Sequence, residues 1–158
     1  MRGSVKLAAF ALGLFLAPAA AWAQKNTVEV DPIRCWWRSS TGAVRTGEIF
    51  SVVLTCAVIE NDAVQVAGDE SKLAASVVQM APFEIIGGSH PADLHTPDRR
   101  FFQYSYDLRI INPDAIGKDV PIFSQPMPYR VNSKVSGNAT LQGREQAYVL
   151  PPLSVRVL

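Results

Sequence analysis

One stretch of the chain decides the fold: residues 34–59, which read RCWWRSSTGAVRTGEIFSVVLTCAVI. Each of its two apolar runs contains one cysteine, and the turn-forming segment from Thr41 to Glu48 separates them. This pattern predicts an antiparallel β-hairpin, because folding the stretch about the middle of its turn brings Cys35 and Cys56 opposite each other. We therefore expect a disulfide bond between these two cysteines across the hairpin.

The same register sorts the side chains of the hairpin onto two faces. Because side chains alternate along a strand, one face collects the apolar positions of both strands, and a slip of one residue would destroy the match. These inward positions are Ile33, Cys35, Trp37, Phe50, Val52, Leu54, Cys56 and Val58. The opposite face carries Trp36 between Arg34 and Arg38, and tryptophan and arginine are enriched among the residues that anchor protein interfaces. We predict that Arg34, Trp36 and Arg38 bind a protein partner; the alternative is that Trp36 packs inward with the arginines around it.

The first 23 residues have the pattern of a signal peptide. A positively charged start is followed by an apolar segment, residues 7–16, and by the small-x-small cleavage site AWA at residues 21–23. The apolar segment is shorter than the about 20 residues that a membrane-spanning helix needs, so we expect no membrane span in the given chain. We predict cleavage before Gln24, export to the periplasm or the outer face of the cytoplasmic membrane, and one domain over residues 24–158. An oxidising destination favours a disulfide over free thiols.

The charge balance indicates which partners to expect. The chain has 15 Lys and Arg against 14 Asp and Glu, a formal net charge of +1. Arg2 and Lys6 would leave with the signal peptide, which keeps the mature chain close to neutral. A near-neutral chain without a basic run has no electrostatic reason to bind nucleic acid, so we expect no nucleic-acid partner.

Strand patterns continue after the hairpin. Residues 101–112 show the clearest period of two, with apolar side chains at every second position. Residues 73–80 are apolar, and their two valines favour a buried strand over a short helix. Residues 127–131 lie among prolines, which predicts an edge strand because proline cannot donate a ladder hydrogen bond. A closing strand is expected from Leu153 onward, and the Pro151-Pro152 bend before it indicates a shift along or between sheets.

Seven to nine short strands with turn signals between them, and no helical period outside the signal peptide, define the fold class. We predict an all-β protein, an antiparallel immunoglobulin-like β-sandwich with a disulfide across its first hairpin. The likeness is one of architecture, since the cysteines of an immunoglobulin domain lie much further apart in sequence.

The two histidines, His90 and His95, are the main candidates for chemistry. Their spacing, with Asp93 between them, matches no standard metal site, and the two cysteines are better explained as a disulfide. Ser89 beside His90 lacks the G-x-S-x-G elbow of a hydrolase, and phosphate-binding glycine motifs are absent from the sequence. We expect no catalytic residue, no metal and no cofactor, with a metal-binding or hydrolytic domain using the His90–His95 loop as the alternative.

Four segments of the chain resemble a module of the BatD-type oxygen-tolerance proteins of bacteria. They are residues 44–50 (VRTGEIF), 102–108 (FQYSYDL), 117–122 (GKDVPI) and 153–157 (LSVRV). The resemblance implies a cell-envelope protein built of β-sandwich modules that acts through contacts with von Willebrand A-type domain proteins. Members of the family are usually longer and tethered by a transmembrane helix, and the cysteine pair is not part of their pattern.

These observations favour a non-enzymatic, exported protein-interaction module of the bacterial cell envelope. Besides the metal-binding or hydrolytic alternative, a third hypothesis is a structural subunit that pairs through an exposed edge strand. In that case residues 153–158 would be the donated strand or the position where a donated strand is accepted.

Overall fold

The computed structural model describes residues 31–122 and 125–158. The predicted signal peptide, residues 1–23, and the predicted start of the mature chain at Gln24 lie outside these residues. Twelve β-strands and one 3-10 turn account for the regular structure of the described part, in which no α-helix occurs. The all-β prediction is therefore confirmed. No helix within these residues is long and apolar enough to cross a membrane.

The strands are numbered in chain order, and η1 (Pro113–Ala115) is the 3-10 turn. They are β1 (Ile33–Ser39), β2 (Ala43–Val44), β3 (Phe50–Ile59), β4 (Val64–Gly68), β5 (Glu84–Ser89), β6 (Leu94–His95), β7 (Arg99–Arg109), β8 (Asp119–Ile122), β9 (Pro126–Val135), β10 (Ala139–Leu141), β11 (Gln146–Val149) and β12 (Leu153–Val157).

The strands form three sheets arranged as two layers. The large sheet has the order β1-β3-β7-β5, with β6 also paired to β7. A second sheet has β9 between β4 and the successive strands β10 and β11, and a small third sheet has the order β2-β12-β8. All pairs are antiparallel except β2 with β12. Buried side chains of the two smaller sheets join the same hydrophobic cluster as the inner face of the large sheet, so together they form the opposing layer of a sandwich-like fold.

The first hairpin has the predicted register. Cys35 pairs with Cys56 and Trp37 with Leu54 along β1 and β3. The predicted disulfide links Cys35 and Cys56, whose Cα atoms are 4.1 Å apart. This short separation is typical of a non-hydrogen-bonded antiparallel pair, in which the Cys35 amide points away from β3. The Tyr148 hydroxyl accepts the hydrogen bond from that amide at 2.9 Å, so a residue of β11 covers this part of the outer edge of β1.

The inward positions predicted for the hairpin form the centre of the core. Val52, Leu54, Cys56 and Val58 are fully buried, and the alternating residues of β7 meet them across the sheet. The predicted period of two in β7 is confirmed, because its inward residues are all nearly or fully buried. These are Phe102, Tyr104, Tyr106, Leu108 and, just after the strand, Ile110.

The prediction of a buried strand at residues 73–80 was wrong. This segment folds as consecutive turns, with amide-to-carbonyl hydrogen bonds from Leu73 to Glu70 and from Val78 to Ala74. Leu73, Val78 and Met80 are buried nonetheless. The segment covers one end of the core without joining a sheet. These three side chains are apolar because they are buried there, and this gives the segment the composition of a buried strand.

The prediction that residues 127–131 form an edge strand was also wrong, because β9 has partners on both sides. Its prolines explain the error. Pro126 and Pro128 pair only with β11, whereas β4 joins the other side from Tyr129 onward. The prolines thus occupy the end of β9 where one side of its backbone has no neighbouring strand, as their missing amides require.

The last strand changes sheets, as the Pro151-Pro152 bend suggested. β11 belongs to the sheet of β9, and β12 runs between β2 and β8. The segment predicted as a simple turn between β1 and β3 therefore contains β2, which pairs with the end of the chain. β12 pairs with β8 from Leu153 to Arg156 but with β2 only at Arg156 and Val157, so among the described residues one side of Leu153 to Val155 has no paired strand. The structural-subunit hypothesis for residues 153–158 stays a prediction.

We predict that the disulfide contributes to stability by restricting the unfolded chain. Its cysteines are 21 residues apart in sequence, and closing a loop of this length stabilises a protein by about 3 kcal/mol in the chain-entropy model. Denaturant unfolding of the oxidised and reduced proteins should differ by about this amount, with both forms retaining a β-rich circular dichroism spectrum. Two alkylated cysteines in the native, unreduced protein would contradict the disulfide itself.

Two buried tyrosines on β7 make a second prediction possible. Burial raises the pKa of the Tyr106 hydroxyl well above 10, and this hydroxyl donates a hydrogen bond to the Leu73 carbonyl. Burial also raises the pKa of Tyr104, and the hydrogen bond to Glu70 raises it further. The folded protein therefore keeps these protons at a pH at which the unfolded chain has lost them.

The free energy of unfolding should fall as the pH rises above about 10, the ordinary pKa of tyrosine. Tyr106→Phe should cost about 1 kcal/mol at neutral pH, because it removes the hydrogen bond to Leu73, and this cost should shrink above pH ~10. Chemical denaturation at several pH values measures the free energy of unfolding of the unaltered protein and the cost of Tyr106→Phe. Phe102→Leu is the control, since its cost should not change with pH; a cost of Tyr106→Phe that is equally constant would refute the assignment.

Candidate functional site

The outward side of the large sheet carries Arg34, Trp36 and Arg38, the residues predicted from the sequence to bind a partner. Strand register places its side chains in three rows that run across β1, β3 and β7. The rows are Arg34–Ala57–Phe101–Leu94, Trp36–Thr55–Gln103 and Arg38–Val53–Ser105–Ser89. We call these three rows the outer face.

Trp36 lies in the central row and points outward, with 41% of its surface exposed. Its neighbour Trp37 points inward, and the Trp37 indole nitrogen donates a hydrogen bond to the Pro151 carbonyl at 3.0 Å. The alternation along β1 thus separates two adjacent tryptophans, one of which supports the core while the other is accessible. The alternative that Trp36 packs inward does not describe this structure.

Two shallow depressions lie on either side of the central row. The first, of about 290 Å³, is lined by residues of the central row and by the apolar side chains of Ala92, Leu94 and Phe101. The second, of about 270 Å³, is lined by the same central row together with Arg38 and Val53. Trp36 lines both depressions and stands between them. The structure therefore brings Trp36 and Arg38 together in one site, whereas Arg34 is exposed on the same face but lines neither depression.

The outer face carries positive charge without a matching carboxylate. Arg34 and Arg38 are exposed, and within the described part of the chain neither guanidinium has an ion-pair partner. None of the residues in the three rows is acidic. The next row contains an acidic side chain, Asp107, which accepts a hydrogen bond from the Ser51 hydroxyl at 2.6 Å.

The apolar wall of the first depression belongs to a connection that ion pairs hold in place. Leu94 in β6 pairs with Phe101, and the segment before it is tied by a 2.7 Å contact between the Asp93 carboxylate and the Arg100 guanidinium. On the other side of Leu94, the ring of His95 contacts the Glu60 carboxylate at 3.1 Å. These contacts fix the segment that presents Leu94 beside Trp36.

Arg100 is the centre of this arrangement. It points to the inner side of β7, where its guanidinium reaches Glu60 and Glu70 as well as Asp93, and lies over the Phe102 ring. Burial lowers the pKa of Arg100, but the hydrogen bond with Asp93 and the charge of Glu70 outweigh this and raise the pKa above its ordinary value. The Arg100 guanidinium thereby links the three segments that carry Glu60, Glu70 and Asp93, which follow β3, β4 and β5 respectively.

The two histidines do not meet at a common site. His90 stacks on Tyr104 at a centroid distance of 4.1 Å, and its Nδ1 atom lies 2.7 Å from the Gln103 carbonyl oxygen. His95 contacts Glu60 instead. Across residues 31–122 and 125–158, no group of three or more His, Cys, Asp or Glu side chains could hold a metal ion. The geometry thus offers the metal-binding hypothesis no ligand set in the described residues.

Comparisons with known proteins found nothing similar. The chain matches no protein-family model, and no curated protein or solved structure is significantly similar to it. The resemblance to BatD-type proteins therefore depends on the four sequence segments alone.

Sequence reasoning found Trp36 and the arginines, and the predicted hairpin register already placed Val53 and Thr55 on the same face. It missed the other residues that complete the site: Leu94, Phe101 and Gln103. A signal for two of them was available. Phe101 and Gln103 occupy the outward positions of the strand whose period of two predicted the core, so they share a face with Trp36 once β3 pairs with β7. Leu94 gave no such signal, because its place depends on the ion pairs around Arg100.

We predict that Arg100→Gln lowers the free energy of unfolding by about 3 kcal/mol, because it leaves partly buried carboxylates without their cation. The matched control is Arg109→Gln, which removes an exposed ion pair with Glu84 and should cost less than about 1 kcal/mol. Denaturant unfolding of the two variants measures the difference. Equal losses would show that the Arg100 cluster does not hold the connections together.

Proposed function

We propose that this protein is an exported, non-enzymatic protein-interaction module of the bacterial cell envelope, and that it binds its partner with the outer face. The observation that carries the proposal is the accessible indole of Trp36, which stands between two depressions and beside guanidinium groups that have no ion-pair partner among the described residues. A solvent-exposed tryptophan on the outward face of a rigid sheet is the kind of residue that anchors a protein interface.

Rigidity supports this role. Trp36 extends from a strand that is paired to β3 and linked to it by a disulfide, and the Tyr148 hydroxyl holds the adjacent amide. A partner that covers Trp36 therefore loses little binding free energy to the ordering of the backbone around it. The apolar depression and the arginines provide the core and the rim that such interfaces combine.

The envelope location is supported by the sequence. A signal-peptide pattern precedes the domain, and the BatD-like segments imply partners with von Willebrand A-type domains. A structural disulfide suits an oxidising compartment, which supports the periplasm or the outer face of the cytoplasmic membrane as the proposed site of action. No nucleic-acid partner and no cofactor enter this proposal.

The test is the effect of Trp36→Ala on a partner isolated from envelope extracts, with a von Willebrand A-type protein of the same envelope as the first candidate. We expect the purified partner to bind the variant more weakly by about 2 kcal/mol or more, measured by titration calorimetry. Arg45→Ala, which alters an exposed turn away from the outer face, should cost less than about 1 kcal/mol.

Stability provides the control for this prediction. Truncation of a buried tryptophan to alanine costs about 3–5 kcal/mol of folding free energy. Because Trp36 points outward, Trp36→Ala should lower the folding free energy much less. A partner that binds Trp36→Ala and the unaltered protein equally would refute the outer face as the binding site.

A further inference from the structure

We infer that the outer face binds an extended acidic peptide segment, in which an apolar side chain and a carboxylate lie two positions apart. This inference rests on the proposed function and specifies the partner chemistry that the same face would accept. It follows from the spacing of the two depressions, from their different linings and from the charge of the face.

The spacing of the depressions matches the repeat of an extended chain. Each depression lies between two neighbouring rows, and neighbouring rows are two residues apart along the strands. Two residues of a β-strand span about 6.6 Å, and this is also the separation of side chains at positions i and i+2 of an extended peptide. A peptide that lies along the strand direction would place these two side chains on either side of Trp36.

The linings decide which side chain enters which depression. Ala92, Leu94 and Phe101 make the first depression apolar, and 64% of the Leu94 surface is exposed in the absence of a partner. An apolar side chain placed there removes both its own surface and that of Leu94 from water. Arg38 lines the second depression, where a carboxylate would pair with its guanidinium.

The charge of the face selects an acidic segment over a neutral one. Arg34 and Arg38 stand four residues apart on one strand, a distance of about 13 Å, so carboxylates at both ends of an extended segment can approach a guanidinium. Arg99, one row beyond Arg34 on β7, has no ion-pair partner in the described residues either. A basic segment would meet repulsion from all of these groups.

The shape of the site favours a peptide over an anionic membrane surface. The apolar surface lies in depressions on a sheet, with Thr55 between them only 8% exposed. A membrane-binding surface instead presents apolar side chains that protrude far enough to enter the lipid. Depressions that side chains can fill are the geometry expected for a peptide.

The experiment is a nuclear magnetic resonance titration of the isotope-labelled protein with short peptides whose ends are acetylated and amidated. The probe is Gly-Ser-Leu-Ser-Glu-Ser-Gly, which has leucine and glutamate two positions apart. We expect saturable shifts of the Trp36 indole signal and of the Arg38 and Gln103 amides. The Trp37 indole, which is bonded to Pro151 on the inner side, should not shift and provides an internal control.

Two matched peptides test the chemistry and the spacing. Replacing glutamate by glutamine should weaken binding roughly tenfold, because the charged hydrogen bond to Arg38 is lost. Moving the glutamate next to the leucine should also weaken binding, because adjacent side chains of an extended chain point to opposite sides. Arg38→Gln should abolish the difference between the glutamate and glutamine peptides, and Arg45→Gln should preserve it.

Several results would overturn the inference. The glutamine peptide, or the peptide with adjacent residues, could bind as tightly as the probe. Alternatively, vesicles containing phosphatidylglycerol could bind the protein in a Trp36-dependent manner while the probe produces no shift, which would assign the face to an anionic membrane. If an isolated protein partner depends on Trp36 but the peptides show no preference for glutamate, the acidic segment is wrong and the proposed function stands. If that partner binds Trp36→Ala normally, the proposed function itself fails.

Discussion

The pairing of β1 with β3 is the constraint on which the rest of the structure depends. Because the side chains of a strand alternate, a shift of this pairing by one residue would bury Trp36 and its flanking arginines and expose the apolar positions. The opposition of Cys35 and Cys56 excludes that shift, since the disulfide can form only in one register. The same bond that stabilises the hairpin therefore also fixes which tryptophan is accessible.

The opposing layer covers part of the edge of β1 and leaves the outer face available for contact. Tyr148 and Pro151, from the end of the chain, accept hydrogen bonds from the Cys35 amide and the Trp37 indole. An exposed strand edge invites pairing with other chains, and these contacts cover part of this one. The Cys35 amide is consequently not free to pair with an added strand.

The site also depends on charges that lie on the other side of β7. Arg100 points inward and binds Asp93, while the next residue, Phe101, points outward and pairs with Leu94. The ion pairs around Arg100 thereby determine the position of Leu94, the apolar side chain beside Trp36. A substitution at Arg100 would alter the outer face without touching it, by releasing the segment that carries Leu94.

The sequence by itself determined the hairpin register, the disulfide, the inward residues of β7 and the outward position of Trp36, because each follows from a period of two within neighbouring strands. Only the tertiary structure decided the turns of residues 71–80, the interior place of β9 and the contribution of Leu94 to the site. These features depend on contacts between residues far apart in sequence, such as Tyr106 with Leu73 and Arg100 with Glu70. A local pattern cannot specify such contacts, since an apolar segment that covers the end of a core has the same composition as a strand within it.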